Sequence, residues 1–364
     1  MMNPSIPPYD LESRAHELLP PEVYIYYAGA AGAGATLAAN LAAFDRLRLR
    51  PDVLTGTTAP DLSTTVLGAR LTLPVAVAPM ALQGLAHPEG DMATARATGD
   101  VGTAMILATL ASRSLEEVVA APCPLWFQLY VLRDRGATRA LIDRAVAAGA
   151  RALVVTVDAP TSGHRRPGVL SEFILPQGTR LPNLAGLPAP TPGAPLREYF
   201  ATLVDGAVTW KDVGWLRSVS PLPLVLKGIL APEDGRLAAE HGVDAVVVSN
   251  HGGRMLDGAV ATLDALPAVV EATAGRLEVW MDGGVRRGGD VFKALALGAR
   301  LVLVGRPVLW ALATGGEVGV RTLFTDLRNE LETTMIACGC AAVGDVAPRH
   351  VTEGTMIGTP RSPR

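Results

Sequence analysis

The chain has little excess charge of either sign. Lys and Arg number 32 against 35 Asp and Glu, for a net charge of −3 over 364 residues. A protein without a basic face is not expected to bind nucleic acid. Cysteine is scarce: Cys123, Cys338 and Cys340 are an odd number, at spacings that suit neither a zinc site nor a disulfide framework. Reduced, buried thiols are the simplest reading, which points to a reducing compartment and a cytoplasmic protein. No run approaches the roughly 20 apolar residues needed to cross a bilayer, and Met1 to Pro21 holds no basic stretch followed by an apolar core, so neither an anchor nor a signal peptide is expected. Hydrophobic residues still make up 49% of the chain, enough for one large domain or two ordinary ones. The tail 355–364 is polar, contains proline and is expected to be disordered.

The amino-terminal stretch, 1–70, reads as a helical extension. Pro20-Pro21 precedes Glu22 to Tyr27 and favours a first helical turn, and a second helix is expected from Thr36 to Phe44. The tyrosines there either pack or offer a hydroxyl to a ligand. From residue 74 a rhythm begins. Strand-like runs at Pro74–Pro79, Thr103–Thr109, Leu125–Val131, Ala152–Val157, Leu222–Leu226, Ala245–Ser249, Leu277–Met281 and Leu301–Val304 alternate with helix-like segments. Eight such units predict an α/β protein, a (β/α)8 TIM barrel. The rival is a doubly wound open sheet, which wants a glycine-rich turn after the first strand, and Pro79-Met80-Ala81 is not one. A long Pro/Gly-rich loop, 175–208, follows the fourth strand. Its composition argues against a buried span and suits a lid over the site or a mobile loop. After the last strand, Gly319 to Ile336 reads as an amphipathic helix.

The carboxyl ends of barrel strands are where active sites are built. The sixth ends Ser249-Asn250-His251-Gly252-Gly253-Arg254. Its imidazole can take a proton near neutral pH, and its guanidinium can grip a carboxylate with two parallel hydrogen bonds. The alternative is a hairpin turn with a stray histidine. The seventh strand ends Asp282-Gly283-Gly284-Val285-Arg286 and the eighth Gly305-Arg306. These are the loops that commonly hold phosphate, unless the glycines only close short turns. Lys227, read as following the fifth strand, needs a partner if buried: an electron-rich heterocycle that becomes anionic on reduction, or an acidic neighbour. Gln128 and Thr156 close the third and fourth strands and suit the edge of the same ring, or loop backbone.

These motifs resemble the FMN-dependent α-hydroxy acid oxidases and dehydrogenases, the glycolate, lactate and hydroxymandelate oxidase group. The resemblance rests on Ser249 to Asp257, Asp282 to Gly288, Gly305-Arg306-Pro307, Pro74 to Ala81, His87 to Gly90, Phe127 to Tyr130 and Thr156 to Asp158, and spans roughly residues 9–345. It implies FMN as cofactor and an (S)-2-hydroxy-acid oxidase that converts an L-2-hydroxy acid to the 2-oxo acid, with electrons passed to dioxygen to give hydrogen peroxide. It also implies a homotetramer. His251 would be the base and Asp158 the stabiliser of its imidazolium. Arg254 and Arg165, with Arg166 as the other candidate, would clamp the substrate carboxylate. Tyr26 and Tyr130 would point hydroxyls at the substrate, and Lys227 would sit beside the flavin N1 and C2 oxygen. Pro79, Ala81, Ala108, Gln128, Thr156 and Ser249 would hold the ring, and Asp282, Gly284, Arg286, Gly305 and Arg306 the ribityl chain and phosphate. No metal is implied.

Four positions depart from the family pattern. Ala108 and Leu110 stand where glycolate-oxidising relatives carry serine and tryptophan, Met80 replaces a frequent threonine, and Met255 a frequent glutamine. Leucine leaves more room than an indole, so the expected substrate is larger or more apolar than glycolate. The competing functions are a dehydrogenase with a quinone or protein acceptor, an oxidatively decarboxylating monooxygenase, a non-redox flavin isomerase and a non-catalytic binding protein. The last two would have little use for His251 and Arg254 together.

Overall fold

The computed structural model describes residues 10–160 and 173–354. The eight apolar runs form eight parallel strands: β1 (Val75–Val77), β2 (Met105–Leu107), β3 (Leu125–Leu129), β4 (Leu153–Thr156), β5 (Leu224–Ile229), β6 (Ala245–Val248), β7 (Glu278–Asp282) and β8 (Leu301–Val304). Each pairs with the next, and β8 pairs with β1 to close the barrel. The runs are rich in Val, Leu and Ile because every strand is covered on both faces.

Alternation along each strand divides the apolar residues into two cores. Ala76, Ile106, Trp126, Val154, Val225, Val247, Trp280 and Leu303 point inward and pack together. Their neighbours Val75, Val77, Met105, Leu107, Phe127, Val155, Leu226 and Val246 face the surrounding helices. Trp126 and Trp280 stack across the interior with ring centroids 4.8 Å apart. Two residues further along the same strands, the inward positions become Ala108, Gln128, Thr156, Lys227, Ser249 and Asp282. The period of two that builds the apolar floor therefore also aims the polar layer above it.

The extension before the barrel contains α1 (Leu11–Leu18), α2 (Pro21–Ala28) and α3 (Ala35–Arg46). It is not helical throughout. Leu47–Leu49 pairs antiparallel with Val351–Glu353. Thr64–Val66 and Ala69–Leu71 form a hairpin whose turn residues Leu67 and Gly68 both have positive φ, 45° and 76°, as a tight primed turn requires. Val66 and Leu71 join the interior core, so this hairpin plugs the end of the barrel away from the polar layer.

Two further differences from the sequence reading are local. The segment 175–208 was expected to hold no buried span, yet it contains a helix, Leu196–Leu203, with Leu196 and Tyr199 buried. The prolines and glycines cluster before residue 196, and the amphipathic run behind them folds onto the barrel rim. The carboxyl-terminal helix starts at Arg306, not 319, and runs to Ala337 with a break at Gly316 (φ 57°, ψ −140°). Its first limb is the eighth barrel helix.

Candidate functional site

A cavity of about 1470 Å³, counting its open mouth, lies over the polar layer at the carboxyl ends of the strands. His251, Arg254, Lys227, Tyr26, Tyr130 and Leu110 all line it. So do Pro79, Ala81, Ala108, Gln128 and Thr156 from the first four strand ends, and Asp282, Gly284, Arg286, Gly305 and Arg306 from the last two. Ser249 and Asp158 sit one step back, bonded to Lys227 and His251, which line it. Arg165 and Arg166 lie outside the described residues.

His251 occupies the left-handed region, φ 58°, followed by Gly252 at 64° and Gly253 at 75°. A non-glycine residue seldom adopts this conformation, and here the hydroxyl of Ser249 helps to hold it by accepting the His251 N–H at 3.1 Å. A Cβ on Gly252 would lie 2.9 Å from the Arg306 guanidinium, so only glycine lets that side chain pass. The turn carries the imidazole to Asp158, with Nδ1 2.9 Å from the carboxylate Oδ1. Burial pushes Asp158 up, but His251 and then Lys227 outweigh it and hold the carboxyl below its ordinary range. An ionised carboxylate only accepts, so Nδ1 is the donor in this bond.

Lys227 lies within β5 and does not follow it, because the strand continues to Ile229. Its Nζ donates to Ser249 Oγ at 2.8 Å and pairs with Asp282 Oδ2 at 2.9 Å. Burial opposes the ammonium charge, yet Asp282 and then Asp158 overcome it and raise its pKa. Of the two partners left open by the sequence, the acidic neighbour is present. Gln128 donates to Thr156 Oγ1 at 3.1 Å and accepts the Thr109 N–H at 3.1 Å.

The arginines are handled differently. Arg306 donates to the carbonyls of Tyr27, Gly252 and Gly29, and Arg254 to those of Tyr27 and Gly29. Arg286 donates to the Val285 carbonyl. Among the described residues none of the three forms a salt bridge. Burial lowers all three, and for Arg306 the neighbouring Arg254 and Arg286 add to it, bringing its pKa to about 9. Three buried cations thus line one cavity without a salt bridge among the described residues, although Glu12 and Asp282 act on Arg306 from further off, and the amino terminus of the Arg306 helix lies beside them.

Leu110, Phe173, Leu196, Phe200 and Met255 give the cavity an apolar stretch, with Arg197 beside Leu196 on the same helix. Phe173 stacks on Tyr26 at 4.3 Å, and Phe200 meets Tyr130 edge-on at 4.9 Å. Leu196 and Phe200 were missed because the segment 175–208 read as a proline-rich loop, although their spacing is that of one helix face; Phe173 lies just before that segment, where no local signal marks it. Asp257 and Asn250 were also passed over. Asp257 accepts the N–H groups of Ala33 (2.6 Å) and Thr36 (3.1 Å) and so caps α3 from a distance. Asn250 exchanges two 2.8 Å hydrogen bonds with Asn40 of α3. Together they pin the His251 turn to the extension. The local signal existed, an Asn and an Asp in a catalytic-looking turn, but their partners lie more than 200 residues away in sequence.

These residues fit FMN. The three unpaired arginines and a helix amino terminus suit a phosphate and a carboxylate. Asp282 Oδ1 is buried without a partner among the described residues and can accept from a ribityl hydroxyl. Gly284, at φ 84°, lets its loop press against α3 where a Cβ would meet the Asn40 carbonyl at 2.2 Å, leaving the other side of the loop to the ligand.

Comparison with known proteins agrees. The family described as FMN-dependent dehydrogenase matches residues 15–353. The chain is 50% identical to an L-lactate oxidase of Nostoc sp. (strain PCC 7120 / SAG 25.82 / UTEX 2576), over 93% of this chain and 95% of that one. It is 46% identical to glycolate oxidase 3 of Arabidopsis thaliana, over 94% of each. A crystal structure of mandelate oxidase with (S)-4-hydroxymandelic acid superposes with a TM-score of 0.89 at 43% identity, covering 95% of this chain and 98% of that one. With the barrel, the cavity and the fit to FMN already in place, the chain belongs to the FMN-dependent α-hydroxy acid oxidase family.

Proposed function

We propose that this oxidoreductase converts an L-2-hydroxy acid with a side chain bulkier than that of glycolate to the 2-oxo acid, passing the electrons to dioxygen. The observation that carries the reading is the pairing, across one cavity, of His251 held by Asp158 with the buried guanidinium of Arg254. Arg254 binds the substrate carboxylate and fixes the α-carbon, and Arg165 or Arg166 is the second clamp. His251 Nε2 takes a proton from the substrate, and Asp158 stabilises the imidazolium. Tyr26 and Tyr130 orient the carboxylate and the α-oxygen. FMN, when bound, supplies the two-electron acceptor. Lys227, Gln128, Thr156, Ser249, Ala81, Pro79 and Ala108 hold its ring, and Asp282, Gly284, Arg286, Gly305 and Arg306 its ribityl phosphate. The substrate loses two electrons and two protons, and one dioxygen takes them up as hydrogen peroxide.

The substrate side chain rests against Leu110, Phe173, Leu196 and Phe200, which supports an aromatic or branched apolar group. The reading includes a cytoplasmic homotetramer; size-exclusion chromatography with light scattering checks the assembly. The activity is tested by bleaching the flavin anaerobically with glycolate, L-lactate, branched and aryl 2-hydroxy acids, then measuring peroxide per turnover in air. The expected result is faster bleaching by the larger acids with one peroxide per product. Preference for glycolate over every longer acid would refute the substrate, and turnover without peroxide would refute the acceptor. On the described residues no helix is long and apolar enough to cross a membrane.

A further inference from the structure

We propose that Asp282 is the counter-ion of Lys227 and that this pair sets how strongly the site favours reduced over oxidised flavin. Three adjacent strands make the arrangement. Lys227 points inward from β5, Asp282 from β7, and Ser249 projects from the end of β6 between them. The ammonium sits 2.8 Å from the Ser249 hydroxyl and 2.9 Å from Asp282 Oδ2. The Lys227 and Asp282 side chains are 5% and 9% exposed, so water screens the pair little. Asp158 acts on the same ammonium from the other side.

A lone buried ammonium would attract negative charge placed beside it strongly. An ammonium joined to a carboxylate presents only the weaker field of a dipole. Reduction adds negative charge to the flavin ring, so Asp282 offsets part of the stabilisation that Lys227 gives to the reduced form. A site that must release its electrons every turnover benefits from that restraint. The inference rests on the placement of Lys227 beside the flavin ring. It differs from a ribityl-binding role, because the ribityl chain is unchanged by reduction and a hydrogen bond to it favours neither redox state.

The test is the midpoint potential of the holoenzyme, followed spectroelectrochemically with flavin content measured in parallel. In Asp282→Asn the affinity for reduced relative to oxidised FMN should rise about tenfold, which for a two-electron couple is about 30 mV upward. The same change made on Lys227→Met should give a smaller shift, because the cation whose field Asp282 offsets is no longer there. An unchanged potential in Asp282→Asn with weaker FMN binding would overturn the inference and leave only a ribityl contact. An unchanged potential in Lys227→Met would instead overturn the placement of Lys227. Should Asp282→Asn not retain flavin, Asp282→Glu keeps the charge and should keep the wild-type potential; a tenfold shift there would count against the proposal.

Discussion

Lys227 and Arg306 are both cations buried at the carboxyl rim of the barrel, yet their surroundings move them in opposite directions. Lys227 lies 2.9 Å from Asp282 and within the field of Asp158, and its pKa is raised. Among the described residues Arg306 donates only to backbone carbonyls, and burial with the nearby Arg254 and Arg286 brings its pKa to about 9. The first charge is balanced by the protein itself. The second has no carboxylate within salt-bridge distance among the described residues, and we propose that a bound anion balances it. The contrast separates groups that shape the field of the site from groups that capture ligand charge.

The sharpest way to break the contrast is to remove each cation in turn from the apoprotein. Lys227→Met strands Asp282 in the interior and should lower unfolding stability by about 3–5 kcal/mol. Arg306→Met removes a charge that burial already disfavours, so denaturant titration should show a change within about 1 kcal/mol. The order reverses for ligand capture: Arg306→Met should weaken FMN binding about 100-fold, roughly 2.7 kcal/mol. Equal destabilisation of the two apoproteins would remove the distinction.

Asp91 is the opposite case, a buried carboxyl that forms no salt bridge among the described residues, so that burial outweighs the nearby Arg113. It accepts the N–H groups of Ser112 (2.9 Å) and Arg113 (3.2 Å), and burial raises its pKa from 3.8 to about 7. A carboxyl pKa raised on folding contributes stability that is fully present below about pH 4 and is lost as the pH rises through 7. Over that window the loss is on the order of 4 kcal/mol. Asp91→Asn keeps an acceptor for the two N–H groups and should flatten the fall, seen as a smaller difference in stability between pH 4 and pH 8. An unaltered slope would show that Asp91 is not its source.

The smallest effect compares the charged floor of the cavity with its apolar wall. Leu110→Trp fills space at the side-chain end without touching any charge. Relative kcat/KM should shift toward glycolate and away from aryl 2-hydroxy acids by about tenfold, 1–2 kcal/mol, with FMN binding unchanged. A uniform loss for all substrates would place Leu110 elsewhere in the reaction.

Much of this was legible in the sequence. Eight apolar runs with short polar ends gave the barrel and the layer that carries Gln128, Thr156, Lys227 and Asp282, because alternation along a strand is a local property. The residue types of the turn from Ser249 to Arg254 marked it as a candidate site, and His251 and Arg254 do line the cavity. The helical run Leu196 to Leu203 was hidden behind prolines, and the hairpin at residues 64–71 had too few residues to show a period.

What the sequence by itself determined, then, is the barrel and the inventory of groups at its rim, since both follow from periodicity and residue type over short stretches. Only the tertiary structure decided which charges are paired. That Lys227 answers to Asp282, that Asp257 caps a helix more than 200 residues earlier, and that three buried arginines form no salt bridge among the described residues are facts of distance in space. Electrostatic and hydrogen-bond energies depend on such distances and on burial, and neither is written in the order of the chain.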